Sequence, residues 1–180
     1  MLRINIIEYN NFDSEQAKKL FKAMGLFEKA INSNFFKQSI INHKFKNKRR
    51  FLYNKGMTNE QIYNSIMLGA ETLNPIQDFE ADLYLNLDKS ARRGRIIGYT
   101  NKNTNQIFTY ESWFNDKPVY EYSGHIAHEW CHKLGFEHHK NPNYQRQYTV
   151  PYAVGYLIRE ISSSLYLNLT NLNNISHEIS

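Results

Sequence analysis

Residues 128–138 have the sequence HEWCHKLGFEH, which contains three histidines and two glutamates. On a helix, residues four positions apart differ by about 40° in azimuth and about 5.4 Å in rise. His128 and His132 would therefore point to the same side and can share a metal ion. Glu129 follows the first histidine, near enough to contact a water on that metal without binding the metal itself.

The residues after His132 supply a third ligand. A continued helix would carry His138 away from the metal, but Gly135 accepts a positive φ and lets the chain turn sharply. After such a turn His138 can approach the same ion. Three protein ligands with one open position are typical of catalytic zinc sites. The segment therefore predicts a Zn²⁺ site formed by His128, His132 and His138.

Apolar periodicity and capping residues predict the surrounding elements. Ser14 is the expected N-cap of an amphipathic helix, and residues 58–61 (TNEQ) match a capping box. Asp116 is the expected N-cap of the helix that carries the histidines, and Gly135 is its expected end. We expect strands over 2–8, 34–45, 80–87, 95–100 and 106–114, and helices over 15–31, 59–70, 117–134 and 153–167.

The order of these elements favours an α/β (α+β) domain. We expect a mixed, twisted sheet with the N-terminal helix and the histidine helix packed on it. A polar loop over 141–149 leads into a small C-terminal part that ends in a helix. The tail after residue 167 is expected to fray. At 180 residues the chain fits one domain with a sizeable core.

At every defined position, HEWCHKLGFEH resembles the H-E-x-x-H-x-x-G-x-x-H signature of the metzincin zinc metallopeptidases. The resemblance implies a zincin-like single catalytic domain over residues 1–180, with an upper subdomain over 1–135 and a lower one over 136–180. It implies a zinc endopeptidase that binds a peptide or protein substrate in the cleft between them. An edge strand within 95–113 would pair with the substrate backbone.

The same resemblance implies residue roles. Zinc would polarise the scissile carbonyl and lower the pKa of its bound water, and Glu129 would be the general base. In some metzincins a tyrosine near a methionine turn stabilises the oxyanion. Tyr152 is the expected residue here, with Tyr148 and Tyr156 as the alternatives.

The chain departs from the metzincin pattern downstream of the third histidine. Members of the family carry a methionine beneath the metal, downstream of the third histidine. All four methionines of this chain precede His138. Residues 148–155 (YTVPYAVG) lie where the methionine turn belongs, and apolar Val150 and Pro151 are expected to line the floor of the site.

Four residues near the expected metal ligands are expected to have roles other than metal binding. His139 is expected at the surface rather than as a fourth ligand. His125 lies one helical turn before His128, and we expect it in solvent or behind the ligands rather than on the metal. Cys131 projects away from the histidine face and is expected to be a buried structural thiol. Trp130 is expected in the core.

Composition and charge exclude several classes of protein. The single cysteine excludes an internal disulfide, and no apolar run approaches the ~20 residues of a membrane span. The N-terminus has no Sec-type signal peptide, so we expect a cytoplasmic protein or one exported by another route. The net charge of +5 is modest, and no nucleic-acid partner is expected. A basic run over 43–50 (HKFKNKRR), with Arg92, Arg93 and Arg95, is interpreted as a solvated charged turn.

Two alternatives remain open at this point. The first is a zinc hydrolase that acts on a non-protein amide, such as a peptidoglycan cross-link. The second is a non-enzymatic binding module that retains the fold and uses its basic surface. The sequence leaves the oligomeric state undetermined.

Overall fold

A computed structural model describes residues 1–92, 94–101, 103–139 and 143–178, the last nine of these by their backbone alone. Helices and strands are mixed along the chain, as expected for the α+β class. The elements in order are β1 (Arg3–Asn10), α1 (Ser14–Ile31), α2 (Asn34–Ile41), α3 (Asn59–Leu68), β2 (Glu80–Asp88), β3 (Gly98–Thr100), β4 (Gln106–Tyr110), α4 (Glu111–Asp116), α5 (Val119–Lys133), a 3-10 turn (Arg146–Tyr148) and α6 (Val150–Glu178).

The four strands form one mixed sheet in the order β1-β2-β4-β3. The first three in that order run parallel, and β3 pairs antiparallel with β4 at the edge of the sheet. Alternation along β2 sends one set of side chains into the core, as predicted. Ala81, Leu83, Leu85 and Leu87 are all fully buried on that face.

Helices α1 and α5 pack in the core beside the sheet. Trp130 of α5 meets Phe27 of α1 edge to face, with 6.2 Å between their ring centroids. The Ser123 hydroxyl of α5 donates a 2.8 Å hydrogen bond to the Ala23 carbonyl of α1. Trp130 also donates its indole N–H to Glu71, at 2.6 Å, so this core residue is held by polar as well as apolar contacts.

Helix α6 crosses α5 at two glycines. A Cβ on Gly124 would lie 2.6 Å from the Gly155 carbonyl oxygen, and one on Gly155 would lie 2.9 Å from that of Gly124. Real Cβ atoms do not approach a backbone atom this closely. The two helices can therefore reach this separation only because neither residue has a side chain.

The predicted strand over 34–45 is wrong, because its first part is helix α2. Ser33 caps this helix by accepting a 3.1 Å hydrogen bond from the Phe36 N–H. Phe36 and Ile40, four residues apart, are both fully buried, which is the spacing of a helical face. The N-cap of α1 was also misplaced by one residue, since Asp13 rather than Ser14 forms the capping box.

The predicted strand over 106–114 is too long. It ends at Tyr110, and α4 follows without a break. The Gln16 side chain donates hydrogen bonds to Glu111 and Asn115, which ties this short helix to the start of α1. The histidine helix consequently begins at Val119, with Pro118 rather than Asp116 as its N-cap.

The strand predicted over 95–100 is confined to Gly98–Thr100, and the last helix is longer than predicted. It begins at Val150, where Pro151 is tolerated because the first turn needs no backbone N–H donor. Its backbone stays helical to Glu178 rather than fraying after residue 167. No glycine or proline follows residue 155 to end it. None of the described helices is long and apolar enough to cross a membrane.

Replacing Leu85 by alanine should lower the free energy of unfolding by about 3 kcal/mol, because it leaves a cavity beneath the central strand. Leu73→Ala is the matched control, since that side chain is 49% exposed, and its effect should stay within about 0.5 kcal/mol. Urea denaturation of both variants measures the difference. Equal losses would contradict the burial assigned to β2.

Candidate metal centre

The three predicted histidines lie together. His128 and His132 stand on one face of α5, and His138 reaches the same point after the helix ends. One ligand nitrogen from each ring lies within 4.8 Å of the other two. The ring centroids are 4.9 to 5.2 Å apart. This arrangement is compact enough for all three to contact one metal ion.

The turn that returns His138 to the helix is a Schellman motif. Gly135 has φ +81° and donates its N–H to the His132 carbonyl, while the Phe136 N–H bonds to the Cys131 carbonyl. A positive φ is strained for residues with a side chain. Gly135 thus ends the helix in the conformation that the sequence predicted for it.

A backbone carbonyl lies close to each histidine ring. His132 Nδ1 lies 2.7 Å from the Phe136 carbonyl oxygen, and His138 Nδ1 lies 3.0 Å from that of His139. The Pro151 carbonyl lies close enough to His128 to oppose slightly the lowering of its pKa. Metal-binding histidines commonly donate one ring N–H to a carbonyl and turn the other nitrogen toward the metal. Three neutral imidazoles are a donor set that suits zinc, copper, iron or nickel.

Burial keeps these rings in the neutral form that binds metals. Desolvation lowers the pKa of His132 to about 4 and lowers the pKa of His138 as well. The pKa of His128 lies well below its usual value for the same reason, with the neighbouring rings adding to the effect. At neutral pH all three histidines can therefore offer a lone pair.

Glu129 lies beside the cluster, with its side chain nearly buried. Desolvation raises the pKa of its carboxyl to about 7, an effect opposed by the charge of Lys133. A carboxyl group with such a pKa can both accept and return a proton near neutral pH. It also faces the same cleft as His128 and His138.

His125 is buried behind Glu129. Its Nδ1 lies 3.8 Å from a Glu129 carboxylate oxygen, and its Nε2 lies 3.0 Å from the Thr109 hydroxyl of β4. Gly98 of β3 packs directly on this ring, since a Cβ there would lie 2.5 Å from His125 Nε2. His125 is therefore buried behind Glu129 and is not exposed to solvent.

Tyr152 is the tyrosine that adjoins the cluster. Its ring centroid lies 4.6 Å from that of His128 and 4.9 Å from that of His138. Its hydroxyl accepts a 3.0 Å hydrogen bond from Arg146 Nη1. Tyr156 lies one turn further along α6, and Tyr148 packs against Phe45 instead.

A cleft of about 500 Å³ opens beside the histidines. Residues of helices α5 and α6 line this cleft, together with the segment that leads into β3. The antiparallel edge strand therefore borders the cleft, within the region 95–113 singled out by the sequence. The lining residues that were not anticipated include two arginines, Arg146 and Arg159. Arg159 was detectable, because it lies seven residues after Tyr152 and hence on the same face of α6.

The remaining predicted residues lie away from the cluster. His139 is exposed, and Cys131 and Trp130 are fully buried. Burial also raises the pKa of the Cys131 thiol, which makes it unreactive at neutral pH. The basic run over 43–50 is largely exposed, and Arg93, grouped with it, lies outside the described residues.

The chain was compared with family models, with curated proteins and with solved structures, and none of the three comparisons gave a match.

Replacing His138 by alanine should weaken metal binding by more than about 100-fold, because loss of even a ligand's supporting partner costs 10- to 100-fold. His139→Ala is the matched control, since it removes the adjacent exposed histidine and should retain the metal. Elemental mass spectrometry after dialysis against a weak chelator measures both. Equal retention by the two variants would show that His138 is not a ligand.

Metal affinity should change little between pH 7.5 and pH 5.5. Protons compete with the metal only as pH approaches the ligand pKa values, and burial lowers these, to about 4 for His132. Affinity should then fall steeply below pH 5. Titration with a fluorescent zinc competitor across this range tests the expectation. A tenfold loss of affinity around pH 6.5 would mean that the rings titrate as exposed histidines do.

Proposed function

We propose that the protein is a zinc-dependent metallopeptidase of metzincin type that hydrolyses peptide bonds. The observation that carries this proposal is the convergence of three histidine nitrogens within 4.8 Å, beside a buried glutamate and a cleft that His128 and His138 line. His128, His132 and His138 would hold the zinc ion. An open coordination position in such a site is what distinguishes a catalytic zinc from a structural one.

Zinc bound here would act as a Lewis acid toward the scissile carbonyl and lower the pKa of a coordinated water. Glu129 would accept the proton of the attacking water and pass it to the leaving amine. Burial raises the pKa of this carboxyl, which favours uptake of the proton from the water. His125 stands behind the carboxyl and limits where it can move.

Tyr152 would stabilise the oxyanion that forms at the substrate carbonyl. Its hydroxyl oxygen accepts a hydrogen bond from Arg146, so its own proton remains available for donation. Burial raises the pKa of this phenol, which keeps it protonated at neutral pH. The arginine would also make the hydroxyl a stronger donor, because the positive charge polarises the O–H bond.

The first turn of α6 would take the place of the missing methionine turn. The Pro151 carbonyl lies close to His128, and the Tyr152 ring contacts both His128 and His138. Val150 is buried in the core beside this turn. Backbone and ring contacts can thus form the floor of the site without a methionine. In the metzincin pattern the methionine is not a metal ligand.

Glu129→Gln should reduce peptide hydrolysis by at least about 1,000-fold while leaving zinc content unchanged, because the amide cannot take up the proton. Glu160→Gln is the matched control, since this residue is exposed on α6. Turnover is measured on a quenched-fluorescent peptide library, with peptidoglycan fragments assayed in parallel.

Full activity of Glu129→Gln would refute the enzyme proposal and favour a binding module. Hydrolysis of the peptidoglycan fragments alone, lost in the same variant, would move the substrate to the non-protein amide considered from the sequence. Hydrolysis of peptides with an intact zinc site is the outcome that the proposal requires.

A further inference from the structure

The cleft beside the histidines has a cationic wall. Arg95, Arg146 and Arg159 all line it, and they come from three separate segments of the chain. Two carboxyl groups also line it, Glu121 on the wall and the buried Glu129. A substrate group that passes along the wall therefore meets more positive than negative charge.

The positive charge of Arg159 is only weakly paired with a carboxylate of the protein. Its Nη1 lies 4.0 Å from a Glu121 carboxylate oxygen, beyond hydrogen-bond distance, and the two side chains remain 38% and 32% exposed. Its guanidinium lies 5.2 Å from the centroid of the Tyr156 ring, which limits its freedom without neutralising it. An exposed, loosely paired contact of this kind contributes little to folding.

Arg95 lines the same cleft from the segment that precedes β3. It precedes β3 by three residues and is exposed. In the part of the chain that the structure describes, no carboxylate comes within 4.0 Å of its guanidinium. Two guanidinium groups thus line one groove, and nearby carboxylates neutralise little of their positive charge. This arrangement favours a carboxylate ligand.

The position of Arg159 sets a distance from the reacting centre. Its guanidinium lies 5.2 Å from the centroid of the Tyr156 ring, and that centroid lies 5.9 Å from the centroid of the Tyr152 ring. A peptide in extended conformation advances about 3.3 Å per residue. A carboxylate bound by Arg159 would therefore belong to a residue within about three positions of the carbonyl that Tyr152 approaches.

We propose that this cleft selects extended peptides that carry a carboxylate within about three residues of the scissile bond. The inference rests on the proposed peptidase function and assigns its substrate class. Arg159 and Arg95 would bind the carboxylate, since guanidinium–carboxylate pairs form strong, directional hydrogen bonds. The same charges would speed the encounter with acidic peptides at low salt.

The test measures binding separately from hydrolysis. A fluorescent decapeptide carries one glutamate three residues before the scissile bond and another three residues after it. It is compared with a twin peptide in which glutamine replaces both glutamates. A third peptide places the carboxylate at the free C-terminus three residues away, and its amidated twin is the control. Anisotropy titrations use Glu129→Gln with and without zinc, so that no peptide is consumed.

The glutamate peptide should bind at least fivefold more tightly than its twin, and the advantage should disappear in 0.5 M salt. Arg159→Gln and Arg95→Gln together should reduce it below twofold, while Arg159→Lys should keep part of it. Arg50→Gln is the matched control, an exposed arginine that does not line the cleft. A preference for the C-terminal carboxylate alone would assign the same arginines to a chain end.

The inference would be overturned if each charged peptide and its neutral twin bound equally well. It would also be overturned if the preference for the charged peptide persisted in the double arginine variant. Hydrolysis of both twins at one rate by the wild type would overturn it too, while leaving the peptidase intact. Arginine-dependent binding of the acidic peptide without any hydrolysis would uphold the inference for the cleft and reject the peptidase. The two failures are therefore distinguishable.

Discussion

The close contact between Gly124 and Gly155 is the constraint on which the site depends. Each glycine leaves room for the carbonyl of the other, so α5 and α6 approach more closely than side chains would allow. His128 lies one turn after Gly124, and Tyr152 lies three residues before Gly155. The contact therefore sets the distance between the histidine face and the tyrosine. A larger side chain at either glycine would separate the two helices and open the cluster.

Polar groups from distant segments support the site in a largely dry environment. Thr109 of β4 contacts His125, and His125 stands behind Glu129. Glu71, in the connection between α3 and β2, accepts the indole N–H of Trp130. Unpaired polar groups are costly in such surroundings, so these pairs specify one arrangement of α5 against the sheet. The same burial shifts the histidine and glutamate pKa values in the directions that metal binding and proton transfer need.

The fold class and most elements were predictable because their signals are local. Alternation along β2, the periodicity of α1 and the capping box at Thr58 each depend on a few neighbouring residues. The error over 34–45 arose because a short apolar run fits the period of a strand as well as that of a helix. The structure buries Phe36 and Ile40 on one helical face. The change from strand to helix after Tyr110 was not predictable for a different reason, which concerns the contacts of α4. Its stabilising partner, Gln16, lies far away in sequence.

By itself, the sequence determined the three histidines, the adjoining glutamate and the turn at Gly135, because helix geometry and the positive φ of glycine act within eleven residues. Only the tertiary structure decided which tyrosine joins them, where His125 lies and which arginines line the cleft. These placements depend on the crossing of α5 and α6 and on the pairing of β3 with β4. Such contacts join residues far apart in the chain, and no local pattern records them.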